Sequence, residues 1–372
     1  MSRKYGARRM LRKKRGLSPI ALFVDNYSYI SKNADDSAAP LLVNSAPSSP
    51  RPTLTTEPIL HPLRVSAARR IARDIHTFEL RDPHGAELPA FTAGAHLMVQ
   101  VPSGALRKYS LCNDPAERDR YVFAVKRDPE GRGGSVSLVD GVRAGDTLPA
   151  CEPRNDFALH PRATNFLFIA GGIGITPILS MVRHLQSSGA GRFKLYYLAR
   201  DPEGTAFLDE LAAPEFHGKV RIHHDGGDPA RAFDLWPILE RPTGAHVYCC
   251  GPRALMDSVR DMSGHWPGGS IHFESFGASP ELNRQNKPFA VRLAKSGLTL
   301  TVAAASTILE TVRAAGVQVP SSCESGTCGS CKTVLVAGAA EHRDFVLADE
   351  ERGNRIMVCC SRAVSPELVL DL

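Results

Sequence analysis

Cys323, Cys328 and Cys331 stand at C-x4-C-x2-C spacing, and Cys359 follows after 27 intervening residues. Thiols at this spacing are the ligand set of a plant-type [2Fe–2S] cluster. Four thiolates must hold two irons while the loop wraps them closely. Gly326 and Gly329 let the backbone come near, so neighbouring N–H groups can donate to the sulfurs and tune their potential. The competing reading is zinc, usually carried on two C-x2-C knuckles. One short pair, one C-x4-C step and a distant fourth cysteine favour iron–sulfur. Cys360 sits beside the fourth ligand. Adjacent strand residues point to opposite faces, so only one of the pair is expected to reach the cluster. Spacing favours Cys359, which would leave Cys360 as a small buried hydrophobe.

Two further constellations suit phosphate-bearing ligands. Arg107-Lys108-Tyr109-Ser110-Leu111 precedes Gly131-Arg132-Gly133-Gly134-Ser135. Arg107 can grip a phosphate. The Gly133-Gly134 backbone and the Ser135 hydroxyl can donate to the same group, and Tyr109 can pack on a flat ring. Together they suit a flavin. Gly172-x-Gly174-x-x-Pro177 follows a strand and opens a helix, the context of a nucleotide loop. Its glycines let a pyrophosphate approach the backbone, and the helix N-terminus adds partial positive charge. Cys250-Gly251-Pro252, at the end of a later strand, can place a small thiol beside a nicotinamide ring. It can equally be a turn into a helix with an inert cysteine.

These residues need elements to position them. His96 to Val101 and Tyr121 to Arg127 alternate in hydropathy, with turn residues between, as in an antiparallel barrel. Phe166 to Ala170 is continuously apolar, as a strand buried on both faces must be. Ile178, Met181, Val182 and Leu185 then repeat at helical spacing, with Thr176 as expected N-cap and Pro177 as first helical residue. Phe193 to Leu198 is the next strand. His246 to Cys250 leads into a helix over Ala254 to Met262, so this part reads as a parallel α/β sheet. Beyond it, Phe289 to Leu293 and Leu298 to Val302 form a hairpin. A helix from Ile308 carries a Thr307/Glu310 capping box and stops at Gly316. The expected division is a basic, Pro- and Ser-rich arm over 1–60, a barrel over 61–162, an α/β domain over 163–278, a linker over 279–288 and a cysteine domain over 289–372.

Composition agrees with a globular chain: 372 residues, 43% apolar and 23% charged. No apolar run nears the ~20 residues of a membrane span. The net charge of +6 divides into +8 for residues 1–16 and −2 for the rest. A basic segment can tether to nucleic acid or an anionic membrane. Here the basic residues lie in a terminal segment rather than on the folded body, so neither partner is expected. With six prolines and seven serines over 17–60, the arm is read as disordered, or equally as the product of a misassigned start. Leu17 to Ile30 is broken by Pro19, Asp25 and Asn26 and lacks a convincing cleavage site, so no signal peptide is expected. Nine cysteines, an odd number, point to a reducing compartment, the cytoplasm.

The order of motifs, Tyr-Ser-Leu with Gly-Gly-Ser, Gly-Gly-Ile-Gly-Ile-Thr-Pro, Cys-Gly-Pro and the C-terminal cysteine loop, resembles the class IA oxygenase reductases over about residues 63–372. The resemblance implies a ferredoxin-reductase-like flavin barrel, a nucleotide sheet and a β-grasp ferredoxin domain. It implies FMN rather than FAD, NADH as donor and a Rieske-type aromatic-ring oxygenase as acceptor. An oxidative demethylase or another soluble redox partner is the alternative. Carried over by position, the FMN contacts are Arg107, Tyr109, Ser110, Ala124, Val125, Lys126, Gly131, Gly133, Gly134, Ser135, Thr176 and Phe276. NADH lies across Gly172 and Gly174 and meets the flavin near Cys250, beside Gly251 and Pro252. Cys250, Phe276 and Thr176 stand closest to the transfer. Asp201 accepts from a ribose 2′-OH, although neighbouring Arg200 could favour a 2′-phosphate. The arm has no counterpart in the family.

Overall fold

Six strands build the first layer: β1 (His61–Ala72), β2 (Ile75–Arg81), β3 (His96–Gln100), β4 (Leu106–Ser110), β5 (Tyr121–Lys126) and β6 (Thr147–Ala150). Their order is β4-β3-β6-β1-β2-β5, with every pair antiparallel. The ring closes where Leu111, just past β4, bridges Phe123 of β5, and Cys112 N donates to Val122 O at 2.8 Å. Closure removes the edges that an open antiparallel sheet would expose. Alternate side chains point inward, and Val65, Phe78, Leu80, Leu97, Val99 and Phe123 fill the interior. In this computed structural model the described residues are 59–277 and 285–372. The expected arm lies outside them except for its last two residues, as does most of the expected linker. One element was not foreseen: the glycine loop runs straight into helix α1 (Gly134–Gly141).

The second layer is a parallel sheet of β7 (Asn165–Gly171), β8 (Arg192–Ala199), β9 (Val220–His224), β10 (His246–Cys250) and β11 (Ile271–Glu274), in the order β11-β10-β7-β8-β9. Its central strand is apolar throughout because both faces are covered. Helix α2 (Ile175–Ser188) packs Ile175, Ile178, Met181 and Val182 on one face, in a core shared with Ile75 and Ala124 of the barrel. Short helices α3 (Leu208–Leu211) and α4 (Trp236–Leu239) follow, and α5 (Arg253–Met262) packs Met256 and Val259 on the other face. The chain leaves β7 in one direction and returns through β10 in the other. The crevice for a ligand therefore opens at the carboxyl ends of β7 and β10.

The expected Thr176 cap is not observed. A 3-10 turn over Gly172–Gly174 feeds the helix at Ile175, with Gly174 as its cap. Two glycines in three residues let the chain tighten before any polar capping residue is reached. Thr176 instead lies buried in the first turn, its Oγ1 donating to Ile173 O at 3.1 Å.

The third sheet has the order β13-β12-β18-β14-β16, from β12 (Phe289–Leu293), β13 (Thr299–Val302), β14 (Lys332–Ala337), β16 (Arg355–Met357) and β18 (Glu367–Leu370). β15 (Ala340–Glu341) and β17 (Arg362–Ala363) pair separately. β12 and β18 run parallel in the middle, and α6 (Ile308–Ala314) packs Ile308, Leu309 and Val312 against the sheet. This is the β-grasp arrangement. The capping box is formed: Glu310 N donates to Thr307 Oγ1 at 3.0 Å, and Thr307 N donates to Glu310 Oε2 at 2.8 Å. Among the described residues, no helix is long and apolar enough to cross a membrane.

Candidate flavin, nucleotide and iron–sulfur sites

Barrel closure brings β4 and β5 side by side, so Arg107, Tyr109 and Ser110 share a wall with Ala124, Val125 and Lys126. Ala124 and Val125 are buried, and Lys126 ends the strand exposed. Tyr109 stacks on Phe123, ring centroids 5.0 Å apart, and burial pushes its phenol up to about 12. Arg107 lies against Gly134, the first residue of α1: a Cβ there would come within 2.7 Å of its Nε. The α1 N-terminus carries no acidic residue in its first turn and no side-chain cap. A guanidinium over uncapped N–H groups fits a terminal phosphate. Ser135 has another role than expected. Its Oγ accepts from Asp128 N at 3.0 Å and donates to Asp128 O, folding back the loop that holds Gly131 and Gly133.

The two nucleotide motifs meet backbone to backbone. A Cβ at Gly174 would stand 2.2 Å from Cys250 O and 2.8 Å from Gly251 N, and one at Gly171 would stand 2.6 Å from Pro252 Cδ. Nothing flexible can yield there, so only glycine fits at 174. The contact fixes Gly172 and Gly174 at the mouth of the crevice, beside the Pro252 cap of α5. Cys249 and Cys250 are both fully buried, on opposite faces of the sheet, with Cys250 on the barrel side. Burial pushes the Cys250 thiol well up, so it stays neutral. Phe276, two residues past β11, is 54% exposed.

Asp201 has two partners within the protein. Its Oδ1 accepts from Gly204 N at 2.8 Å, and its Oδ2 forms an ion pair with Arg73 of the barrel. Arg73 also reaches Glu203 Oε2 at 3.1 Å. Asp201 caps a 3-10 turn, so the tight chain reversal after β8 turns its carboxylate back toward the protein. Arg200 remains exposed beside it.

The cysteines of the last domain converge. Cys323 is a hydrogen-bond neighbour of Cys328 and Cys359, and Cys359 of Cys331. Neighbours thus run Cys328, Cys323, Cys359, Cys331. No three or more His, Cys, Asp or Glu side chains among the described residues close around one metal ion. Four cysteines brought together from one loop and one turn suit a [2Fe–2S] cluster, which takes four thiolates. Ser325 N and Thr327 N both donate to Cys323 Sγ at 3.4 Å, and Cys323 N donates to Cys328 Sγ at 3.3 Å. These are the backbone donors expected of a cluster loop, and Gly326 makes the loop possible with φ +82°. The residues present fit the group. One expectation fails: Cys359 and Cys360 lie in a turn after β16, not on a strand, so their side chains are not forced to opposite faces.

The cysteine loop is clamped to the flavin wall. Lys108 Nζ of β4 donates to Ser322 O, next to the first ligand, and Ser322 Oγ donates to Asp156 Oδ1 at 2.6 Å. Farther out, Phe345 packs on Phe273 of β11 at 4.8 Å, with the Arg253 guanidinium 4.2 Å and that of Arg260 5.5 Å from its ring. Arg253 Nη1 also donates to Arg343 O.

Comparisons with known proteins agree with this assembly. The family "2Fe-2S iron-sulfur cluster binding domain" matches residues 291–364, and "Oxidoreductase FAD-binding domain" matches residues 62–157. Phthalate dioxygenase reductase of Burkholderia cepacia is 60% identical over 311 residues, spanning 83% of this chain and 97% of that protein. The chain belongs to the phthalate dioxygenase reductase family. The phthalate 4,5-dioxygenase oxygenase reductase subunit of Pseudomonas putida is 58% identical over 83% of this chain and 96% of its own length. A solved phthalate dioxygenase reductase, described as a modular structure for electron transfer from pyridine nucleotides to [2Fe-2S], superposes with TM-score 0.66 at 59% identity. It covers 84% of this chain and 98% of that one.

One residue beside the flavin wall of this phthalate dioxygenase reductase relative was missed in the sequence. Glu274 ends β11 partly buried, and Ser110 Oγ of the flavin wall donates to its Oε2 at 3.1 Å. Burial pushes its carboxyl up to about 8, against the hydrogen bond from Ser110, with the charges of Asp156 and Cys323 adding to the rise. An acid at the carboxyl end of an apolar parallel strand was the available signal. For Lys108, Asp156 and Phe345 no signal existed, because each matters only through a partner far away in the chain.

Proposed function

We propose that this protein is the NADH-dependent reductase component of a Rieske-type aromatic-ring dioxygenase of the phthalate 4,5-dioxygenase kind. Electrons would pass from NADH through FMN and one [2Fe–2S] cluster to the oxygenase. The observation that carries the reading is the meeting of three elements at one place: the flavin wall at Ser110, the carboxyl end of the sheet at Glu274, and the cysteine loop at Ser322. The three bodies are assigned to 61–162, 163–278 and 289–372, in a cytoplasmic protein.

Bound flavin would take two electrons from reduced nicotinamide and release them one at a time to the cluster. The chain supplies position, electrostatics and exclusion of water. Arg107 and the α1 N-terminus would hold the FMN phosphate, with Tyr109, Ser110 and the Ala124-Val125-Lys126 strand along the rest of the molecule. Gly172 and Gly174 would admit the nicotinamide nucleotide against bare backbone, and Cys250 would offer an uncharged floor. Phe276 would cover the ring. Glu274, kept neutral by burial, can hold a proton one hydrogen bond from Ser110. Cys323 and Cys328 would bind one iron, Cys331 and Cys359 the other. Arg73 is neutralised by Asp201 and Glu203 and so offers no free cation to a 2′-phosphate, which supports NADH as the donor. Plant-type clusters lie near about −400 mV and Rieske centres well above, so the final transfer is downhill.

The test is a visible spectrum of the purified protein followed by anaerobic NADH titration, with mass analysis of the extracted flavin. FMN, with flavin and iron–sulfur bands both bleached by NADH, supports the proposal. FAD in the extract overturns the flavin assignment, and a colourless zinc protein overturns the electron path.

A further inference from the structure

We propose that the fourth ligand position of the cluster is served by two thiols, Cys359 and Cys360, either of which can bind the iron. This rests on the [2Fe–2S] reading and on Cys323, Cys328 and Cys331 as the other ligands. β16 ends at Met357, and Val358, Cys359 and Cys360 form a turn. A strand would have sent the two thiols to opposite faces; the turn sends both toward the ligand loop.

Cys360 Sγ lies against that loop. A Cβ added to Gly326, midway between Cys323 and Cys328, would meet Cys360 Sγ at 2.6 Å. The Cys359 thiol is a hydrogen-bond neighbour of Cys323, Cys331 and Cys360 together. Cys360 therefore lies beside both the ligand loop at Gly326 and the Cys359 thiol. The remaining polar contacts of Cys360 are weak: Met357 O at 3.8 Å and Ser361 Oγ at 3.9 Å. It is half-buried at the edge of the domain's apolar core, and no strong hydrogen bond holds it away from the cluster. Its burial is less complete than that of Cys112 and Cys249, which are enclosed among apolar side chains.

The exchange balances without a redox step. The iron–sulfur bond to Cys359 breaks as the bond to Cys360 forms. Cys360 gives its thiol proton to solvent and Cys359 takes one up. No electron moves, and the cluster keeps four thiolates and its charge. The consequence is a ligand position that survives the loss of one thiol, for example by oxidation.

The test uses the full chain, purified anaerobically, as Cys359→Ala, Cys360→Ala and the double variant, with Cys331→Ala for comparison. Iron and labile sulfide per chain, the visible spectrum and the EPR signal of the dithionite-reduced protein are measured. Retained flavin confirms folding of each variant, and Cys359→Ser replaces Cys359→Ala if the latter fails that check. The expected result is a cluster in both single variants, with EPR signals that differ slightly, and loss of the cluster in the double variant and in Cys331→Ala. Loss in Cys359→Ala and Cys359→Ser alone overturns the proposal and leaves Cys359 as sole ligand. Loss in Cys360→Ala alone also overturns it, and moves the ligand to Cys360. A cluster retained in the double variant removes both residues from the ligand set. An iron-free wild-type protein would sink the underlying cluster reading instead.

Discussion

Replacing Glu274 by glutamine keeps the shape of the side chain and an acceptor for Ser110, and removes only the ionisable proton. The carboxyl, ordinarily near 4.5, is pushed up to about 8, chiefly by loss of solvation at the end of β11. The unfolded chain therefore ionises first as pH rises. Between these two values the folded state binds one more proton than the unfolded state, so stability falls with rising pH, by about 1.4 kcal/mol per unit. Below the lower value both states are protonated and the contribution is constant; above the upper value both are ionised. Across the two units from pH 5.5 to 7.5, wild type should lose about 3 kcal/mol that Glu274→Gln does not lose. The assay is urea unfolding of the cofactor-loaded protein at both pH values, followed by the fluorescence of released flavin. Only the difference between the two proteins is read, so that shared titrations cancel. Parallel movement of wild type and variant would refute the buried neutral acid. Infrared spectroscopy gives a second check: a protonated carboxyl band at neutral pH should vanish in the variant.

Four further outcomes follow from the geometry. Gly174→Ala drives a Cβ into the backbone of Cys250 and should raise the KM for NADH roughly ten- to hundredfold, matching an overpacking cost of about 1–3 kcal/mol, with flavin content unchanged; a normal KM would refute the close approach. Cys331→Ser should keep NADH-dependent dye reduction at the flavin and lose reduction of the oxygenase, and equal loss of both would count against a serial path. Lys108→Met with Asp156→Asn unclamps Ser322, so stopped-flow absorbance should show slowed cluster reduction at an unchanged rate of flavin reduction. Asp201→Ala with Glu203→Ala frees Arg73 and should raise kcat/KM for NADPH relative to NADH; a constant ratio would remove Arg73 from nucleotide choice.

Local signals carried most of the architecture. β10 ran over the expected residues, the Thr307/Glu310 box formed as read, and the hydropathy period separated barrel from parallel sheet because each pattern reports its own burial. The cysteine loop was legible because ligand spacing is itself local. Where reasoning failed, geometry had overridden a local rule. Thr176 lost its cap to a 3-10 turn that two glycines allow, and Cys360 lost its opposite face to a turn. The ion pair of Asp201 with Arg73, 128 residues away, could not be read either. Glu274 carried a readable signal, an acid in an apolar strand, but its meaning depends on Ser110, 164 residues earlier. Pairings of that range leave no mark in a single sequence.

Phe345 belongs to the cysteine domain by chain order and to the apolar core beneath the nucleotide sheet by packing. Its ring fills a notch made by Phe273, Arg253 and Arg260, which are parts of another body. The seam between the two bodies is therefore drawn differently by covalent continuity and by side-chain contact. This limits how such a chain can be recombined. A ferredoxin module transplanted from elsewhere could bring four correctly spaced cysteines and still leave an unfilled notch and two arginines without their ring. Interchange of parts would have to carry the aromatic residue with the module, or the arginine pair with its acceptor.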